Sequence, residues 1–305
     1  MHDSTLNRRS LLAMLASTSG LSFADVALGQ GLMPSRAIPS TGETLPVLGL
    51  GSSKPVQQIN TLGADRVAQI LQALTQYGGS LIDTWPRNGE NDAAFGGVLS
   101  RPEFESSLFV TTKIDTVGET EGISQFDNAL TAYRRDTIDL TQIFSLTDVA
   151  THWPNLRKWK DEGRTRYIGV TVSEARLYEA LENFVALEAP DFVQVNFSIT
   201  ERESEARLLP SLADRGIAVI INRPFMNGRY FEELEAVPLP EWTQEFDCHT
   251  WAQFSLKYIL SNPDFTAVLT ETSNPAHMAE NAMTALGALP DDTARNRMRE
   301  FIDAV

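Results

Sequence analysis

The chain is predicted to fold as an α/β protein, a single (β/α)8 TIM barrel. Three observations carry that prediction. Short apolar, β-branched runs alternate with segments of helical period from about residue 44 onward. There are eight such runs, each followed by a helical segment. And 305 residues suit one barrel better than two small domains.

The strand candidates are "PVLGLGS" (46–52), "SLIDTW" (80–85), "LFVTTKI" (108–114) and "IDLTQIF" (138–144), then "RYIGVTV" (166–172), "FVQVNFS" (192–198), "IAVIINR" (217–223) and "TAVLTET" (266–272). Between them, "DRVAQILQALTQYG", "SQFDNALTAYRRD", "PNLRKWKDEG", "SEARLYEALENFVAL" and "ESEARLLPSLADRG" have helical spacing. Several end in Gly after a basic residue, a helix stop. A doubly wound sheet is the competing topology. Against it, "GLGSSK" lacks the third glycine of a dinucleotide fingerprint, and no helix is expected directly after it. The tail "DDTARNRMREFIDAV" is expected to be a final helix packed across the barrel.

Residues 1–29 read as a targeting segment rather than as fold. A polar start with Arg8 and Arg9 precedes a mildly apolar run from Leu11 to Ala24, too short and too rich in Ser and Thr to span a membrane. "NRRSLL" resembles a twin-arginine export signal, with cleavage expected after Ala24 or Gly29. On this reading the partner of the leader is the twin-arginine translocation machinery. The barrel domain, residues 30–305, then works in the periplasm or otherwise outside the cytoplasmic membrane, without stable membrane insertion.

The net charge of -15 argues against nucleic acid or anionic lipid as partner, since both select clustered Lys and Arg. Cys248 is the one cysteine, so no intramolecular disulfide forms; beside His249 in "DCHT" it is read as a packing residue ahead of the core helix "WAQFSLKYIL". The four histidines lack metal-ligand spacing, and no metal site is expected.

In a barrel of this kind chemistry sits where the strands end. Those ends supply Asp83, Lys113, Phe144, Thr171, Ser173, Gln194, Asn196, Arg223, Glu271 and Thr272, around a mouth expected to hold a small-molecule ligand. Asp83 and Lys113, on neighbouring strands, can meet as an ion pair. Such a pair serves either to tune a proton-transfer group or to close the barrel top as a structural bridge.

The order and spacing of "GLGS", "IDT…NGENDAAFG", "TTKID", "IDLTQI", "GRTRYIGVT", "QVNFSITERE", "GIAVIINRPF" and "TETSNPAHMAEN" resemble the aldo-keto reductases over nearly all of residues 40–285. The subgroup resembled is the exported bacterial one with "NRPF" after the seventh strand. The resemblance implies carbonyl reduction by a nicotinamide cofactor, with an Asp, Tyr, Lys and His tetrad. The aspartate falls on Asp83 and the lysine on Lys113, but the tyrosine position holds Asn88 and the histidine position Phe144. An asparagine amide donates a hydrogen bond yet delivers no proton at neutral pH, and phenylalanine does neither. General acid catalysis contributes on the order of 10²–10⁴-fold, so conventional carbonyl reduction is expected to be impaired at least that far. Arg87 and Arg223 are the cations that could assist, and Trp85 could stack on a substrate.

The cofactor positions implied by the resemblance are mixed. Gln194 and Thr171 match the groups that hold the nicotinamide carboxamide, whereas Val172 stands at a usual asparagine position. Where the family commonly carries a basic residue, Ser and Arg around an adenosine 2′-phosphate, this chain has Glu271, Thr272 and His277. Asn281 matches an adenine contact. NADPH or NADH binding, weak binding and no binding all remain open, because Glu271 repels a phosphate but accepts from a ribose hydroxyl. Three functions follow: an atypical exported oxidoreductase, a non-catalytic binding or scaffold pseudoenzyme, and lyase or isomerase chemistry through Lys113.

Overall fold

The computed structural model describes residues 31–86 and 89–305; the targeting segment together with Arg87 and Asn88 lies outside the described residues. The eight predicted strands are present as β3 (Leu48–Gly51), β4 (Leu81–Asp83), β5 (Phe109–Ile114), β6 (Ile138–Phe144), β7 (Thr165–Val172), β8 (Phe192–Asn196), β9 (Ala218–Asn222) and β10 (Ala267–Glu271). All pair in parallel, and β10 closes on β3, so the sheet is a closed eight-stranded barrel. A short antiparallel hairpin, β1 (Ser35–Ala37) and β2 (Thr44–Pro46), precedes it.

The interior follows from the two-residue period of a strand. Lower inward positions are Leu81, Phe109, Leu140, Tyr167, Phe192, Ala218, Ile220, Ala267 and Leu269, which form one apolar cluster with Ile38 and Leu45 from the hairpin segment. The hairpin thus plugs the bottom. Its turn adds polar fastening: Tyr167 donates to Glu43 at 2.6 Å, and Arg166 pairs with both Glu43 and Asp139. These partners hold the Glu43 carboxyl below its usual pKa, the Arg166 hydrogen bond contributing most. The outward faces of the strands pack with the helices in a second, larger core.

Two features differ from the sequence reading. A short helix, Ser53–Gln57, does follow the first barrel strand almost at once. Five residues are too few to show helical period, and Pro55 reads as a breaker. In its first turn, however, proline lacks only an N–H that would have no partner there. The helix containing "PNLRKWKDEG" also begins earlier, at Val149, with Pro154 inside it. The C-terminal helix Asp292–Ala304 is present as expected, capped by the Asp291 side chain on the Ala294 N–H. Among the described residues no helix is long and apolar enough to cross a membrane. Cys248 is fully buried, and burial pushes its thiol up to about 11.

Helix Gly89–Leu99, which follows the loop after β4, is held very close to helix Glu119–Tyr133. A Cβ at Gly96 would overlap the Ala132 carbonyl oxygen. Because the obstacle is backbone, relief requires the helices to separate. Gly96→Ala is therefore expected to destabilise the fold by about 2 kcal/mol or more, read as a lowered midpoint in urea denaturation. A midpoint equal to wild type would contradict this packing.

Candidate active site

The carboxyl ends of the strands enclose a cleft of about 600 Å³. Inward alternation places Asp83, Lys113, Phe144, Thr171, Gln194, Asn222 and Glu271 on its walls, with Gly51 between the Asp83 and Glu271 strands. Phe144 is the register neighbour of Thr171, and Thr171 of Gln194, so these three stand side by side on adjacent strands.

Asp83 and Lys113 form the expected ion pair, with Lys113 Nζ 2.6 Å from Asp83 Oδ1 and side-chain exposures of 12% and 5%. Such low exposure means that neither charge is solvated well enough to stand alone. Additional donors complete the aspartate: Thr111 Oγ1 gives to Oδ1 at 2.6 Å and Gln194 Nε2 reaches Oδ2 at 3.5 Å. Lys113 also donates to the Thr84 carbonyl at 3.0 Å. Two N–H groups of the ammonium are thus committed to protein acceptors.

One wall is aromatic. The Trp85 and Phe144 rings lie 4.2 Å apart at 34°, and the Trp85 indole N–H donates to Asp115 at 3.1 Å. Phe225, on the loop after β9, and Phe231, in the short helix Arg229–Glu233 beyond it, also line the cleft. Phe144, at the position the resemblance assigns to a histidine, therefore presents a ring face and no hydrogen bond.

The β8–β10 wall is rich in acceptors. Gln194 is buried and its Oε1 has no hydrogen-bond partner; Asn222 Oδ1, two strand positions above Ile220, is likewise unpartnered. Glu271 Oε1 accepts the Lys54 backbone N–H at 2.8 Å, across the start of the Ser53–Gln57 helix. The Glu271 side chain opens onto the cleft, yet the surrounding walls desolvate it, and this raises its pKa above the usual carboxylate value. The Lys54 contact opposes the rise, and the negative charge of Asp83 adds to it.

The remaining predicted residues are placed as follows. Ser173, Arg223, Thr272 and His277 line the cleft. Arg223 is exposed and donates to the Ser173 carbonyl at 3.3 Å. Thr272 is buried, its hydroxyl oxygen accepting the Asn274 N–H at the entry to helix Pro275–Thr284. Asn281 is buried on that helix and does not line the cleft. Asn196 turns to Tyr178 and Glu201. Asn88 and Arg87 lie outside the described residues. Sequence reading missed Asn222, although the alternation Ala218, Ile220, Asn222 points it inward; it also missed the Glu271–Lys54 contact, for which sequence carries no signal. Among the described residues, no group of three or more His, Cys, Asp or Glu is arranged to hold a metal ion.

Backbone strain gathers at the same place. Among the described residues, eight non-glycine residues have positive φ; six of them, Ser145, Leu146, Asp148, Arg223, Met226 and Asn227, sit in the segments after β6 and β9. Such conformations cost on the order of 1 kcal/mol each and persist where surrounding structure enforces them.

Comparison with known proteins bears on this geometry. The family model described as "Aldo/keto reductase family" matches residues 47–296. The chain is 23% identical to L-galactose dehydrogenase of Arabidopsis thaliana over 299 residues, covering 84% of this chain and 90% of that one. It is 24% identical to the NADH-specific methylglyoxal reductase of Escherichia coli (strain K12) over 285 residues, covering 74% and 84%. Among solved structures, an aldo-keto reductase from Klebsiella pneumoniae in complex with NADPH matches with a TM-score of 0.67 at 17% identity, covering 88% of this chain and 95% of that chain.

Two outcomes are expected from this site. Replacing Lys113 by Met leaves the Asp83 carboxylate buried without its cation, at a cost of about 3–5 kcal/mol in chemical denaturation; a loss below 1 kcal/mol would contradict the buried pair. Glu271 has a raised folded pKa, so its ionised form disfavours folding above that pKa and the penalty fades as pH falls below the unfolded value. Glu271→Gln should therefore melt above wild type near pH 7, and the two curves should converge toward pH 4.

Proposed function

The chain belongs to the aldo/keto reductase family, and from that premise we propose that it is an atypical nicotinamide-dependent oxidoreductase acting outside the cytoplasmic membrane. The observation that carries this reading is the buried, unpartnered Oε1 of Gln194 beside the Asp83–Lys113 pair. An acceptor in that state costs about 1–3 kcal/mol unless a ligand or water donates to it, and a nicotinamide carboxamide N–H fits. The other end fits less well: Glu271 sets a carboxylate where an adenosine phosphate is gripped in the family pattern. Export is supported by the "NRRSLL" leader.

When bound, a nicotinamide supplies or accepts hydride. The residues of this chain orient the substrate and stabilise charge. Lys113 supplies fixed positive charge near a developing alkoxide, and Asp83 keeps that charge in place. The Trp85–Phe144 face excludes water from one side. Neither Phe144 nor Asn88 delivers a proton, so protonation comes from water, and turnover is slow by the factor that a general acid contributes.

Phe144 packed against Trp85 favours a second reading, a barrel that binds a ligand without turning it over. The lyase or isomerase reading gains no supporting contact: two of the three Lys113 N–H groups are committed to Asp83 and the Thr84 carbonyl.

Titration of the protein with NADH and NADPH, followed by tryptophan fluorescence, tests the proposal. Quenching is expected, weakened about tenfold or more in Gln194→Leu; no binding of either nucleotide at millimolar concentration would overturn it. If a nucleotide binds, the double substitution Asn88→Tyr with Phe144→His should raise carbonyl reduction sharply. A cleft that binds nucleotide but stays inert after that repair is the binding protein of the second reading.

A further inference from the structure

The aromatic wall of the cleft is held from outside the cleft. Trp85 and Phe144 are both half-buried and both line it, with ring centroids 4.2 Å apart at 34°. The Trp85 indole N–H, however, is spent on Asp115 Oδ2 at 3.1 Å. Asp115 does not line the cleft; it lines a separate groove with Pro86, Thr116, Glu121 and Gln125. Gln125, on helix Glu119–Tyr133, fixes the aspartate twice. Its Nε2 donates to Asp115 Oδ1 at 2.5 Å, and its Oε1 accepts the Asp115 backbone N–H at 3.0 Å.

The main chain keeps the same residues in step. Ile114 pairs with Ile143 in the last register pair of β5 with β6, so the next residues, Asp115 and Phe144, come level. The segment after Phe144 carries positive φ at Ser145, Leu146 and Asp148. It is tied to the segment after Asp115 at two points: Asp148 Oδ2 accepts the Gly118 N–H at 2.9 Å, and His152 Nε2 donates to the Thr116 carbonyl at 2.8 Å. Strained backbone persists where such contacts enforce it.

The result is a wall with no hydrogen bond to offer. Indole has a single donor, which Asp115 takes, and phenylalanine has none. A sugar or alditol laid here would lose water from hydroxyls that find no partner. A flat conjugated ring gives up nothing and gains offset or edge contact with two rings. Phe225 and Phe231 add further aromatic surface to the same cleft.

We propose that Asp115 is a positioning residue: by holding the Trp85 indole against Phe144, it makes this wall a stacking face that selects a flat conjugated ring over a polyol or a saturated ring. Gln125 acts through Asp115 by fixing its carboxylate. The inference goes beyond the oxidoreductase reading and does not depend on it, since a ring stacks here with or without turnover and without a nucleotide.

Isothermal titration of the full chain, without nucleotide, compares β-naphthol with decahydro-β-naphthol and with galactose. The decahydro compound has the same skeleton and hydroxyl but no flat ring. In wild type, β-naphthol is expected to bind about tenfold or more tighter than either. Asp115→Ala and Trp85→Leu each reduce that preference to about threefold or less, and Gln125→Leu lowers it in the same direction. Asp115→Asn, which keeps an oxygen for the indole N–H, retains most of it. A second readout separates positioning from mere stability: the fluorescence that Trp85→Phe removes becomes more quenchable by acrylamide in folded Asp115→Ala, and not in Asp115→Asn. Equal binding of the two naphthols, tighter binding of galactose, no binding of β-naphthol, or a preference that survives Asp115→Ala intact overturns the inference. If Asp115→Ala does not fold, an unchanged preference in Gln125→Leu overturns it instead. Titration with NADH and NADPH decides the nicotinamide reading separately, so either can fail alone.

Discussion

Closure of the sheet is the constraint on which everything else rests. Once β10 pairs with β3, every second residue of eight strands must share one narrow interior, with no room for loosely solvated groups. The lower layers meet that demand with hydrocarbon and aromatic rings. The upper layer is polar, and a polar group there must find a partner among its register neighbours. Thr111 beside Asp83, and Lys113 one strand over, show that demand being met; Gln194 Oε1 and Asn222 Oδ1 show it left open. The contrast divides the mouth into a self-satisfied side and a side that asks for donors.

Glycine makes the same closure possible at β7. A side chain on Gly169 would collide with the Phe192 carbonyl, so the small residue lets Phe192 fill the lower barrel and Gln194, two positions on, reach the mouth. Packing below and chemistry above are linked through strand register, since a slip of one residue would turn Gln194 out of the cleft.

Much of this was legible in the sequence, for a physical reason. Buried parallel strands are continuous apolar runs, and all eight lie within a few residues of where periodicity placed them. The meeting of Asp83 and Lys113 was legible because both end neighbouring strands. What was not legible depends on distance in space. The short helix Ser53–Gln57 has no period to read, and the hydrogen bond from the Lys54 amide to Glu271 joins residues far apart in the chain. Phe144 looked like a simple loss; its partner Trp85, held by Asp115, makes it part of a built aromatic wall. Asn88 remains a sequence observation, outside the described residues.

The hairpin beneath the barrel carries one more implication. Ile38 and Leu45 seal the bottom, while Glu43, Arg166, Asp139 and Tyr167 bolt the seal in place, at the end of the barrel away from the cleft. Cohesion is thus anchored at one pole and recognition at the other. Such a division makes the fold evolvable: strand-end residues like Phe144 can be exchanged with the foundation left undisturbed. A lineage built this way can lose one chemistry and adopt another while remaining, at every step, a folded barrel.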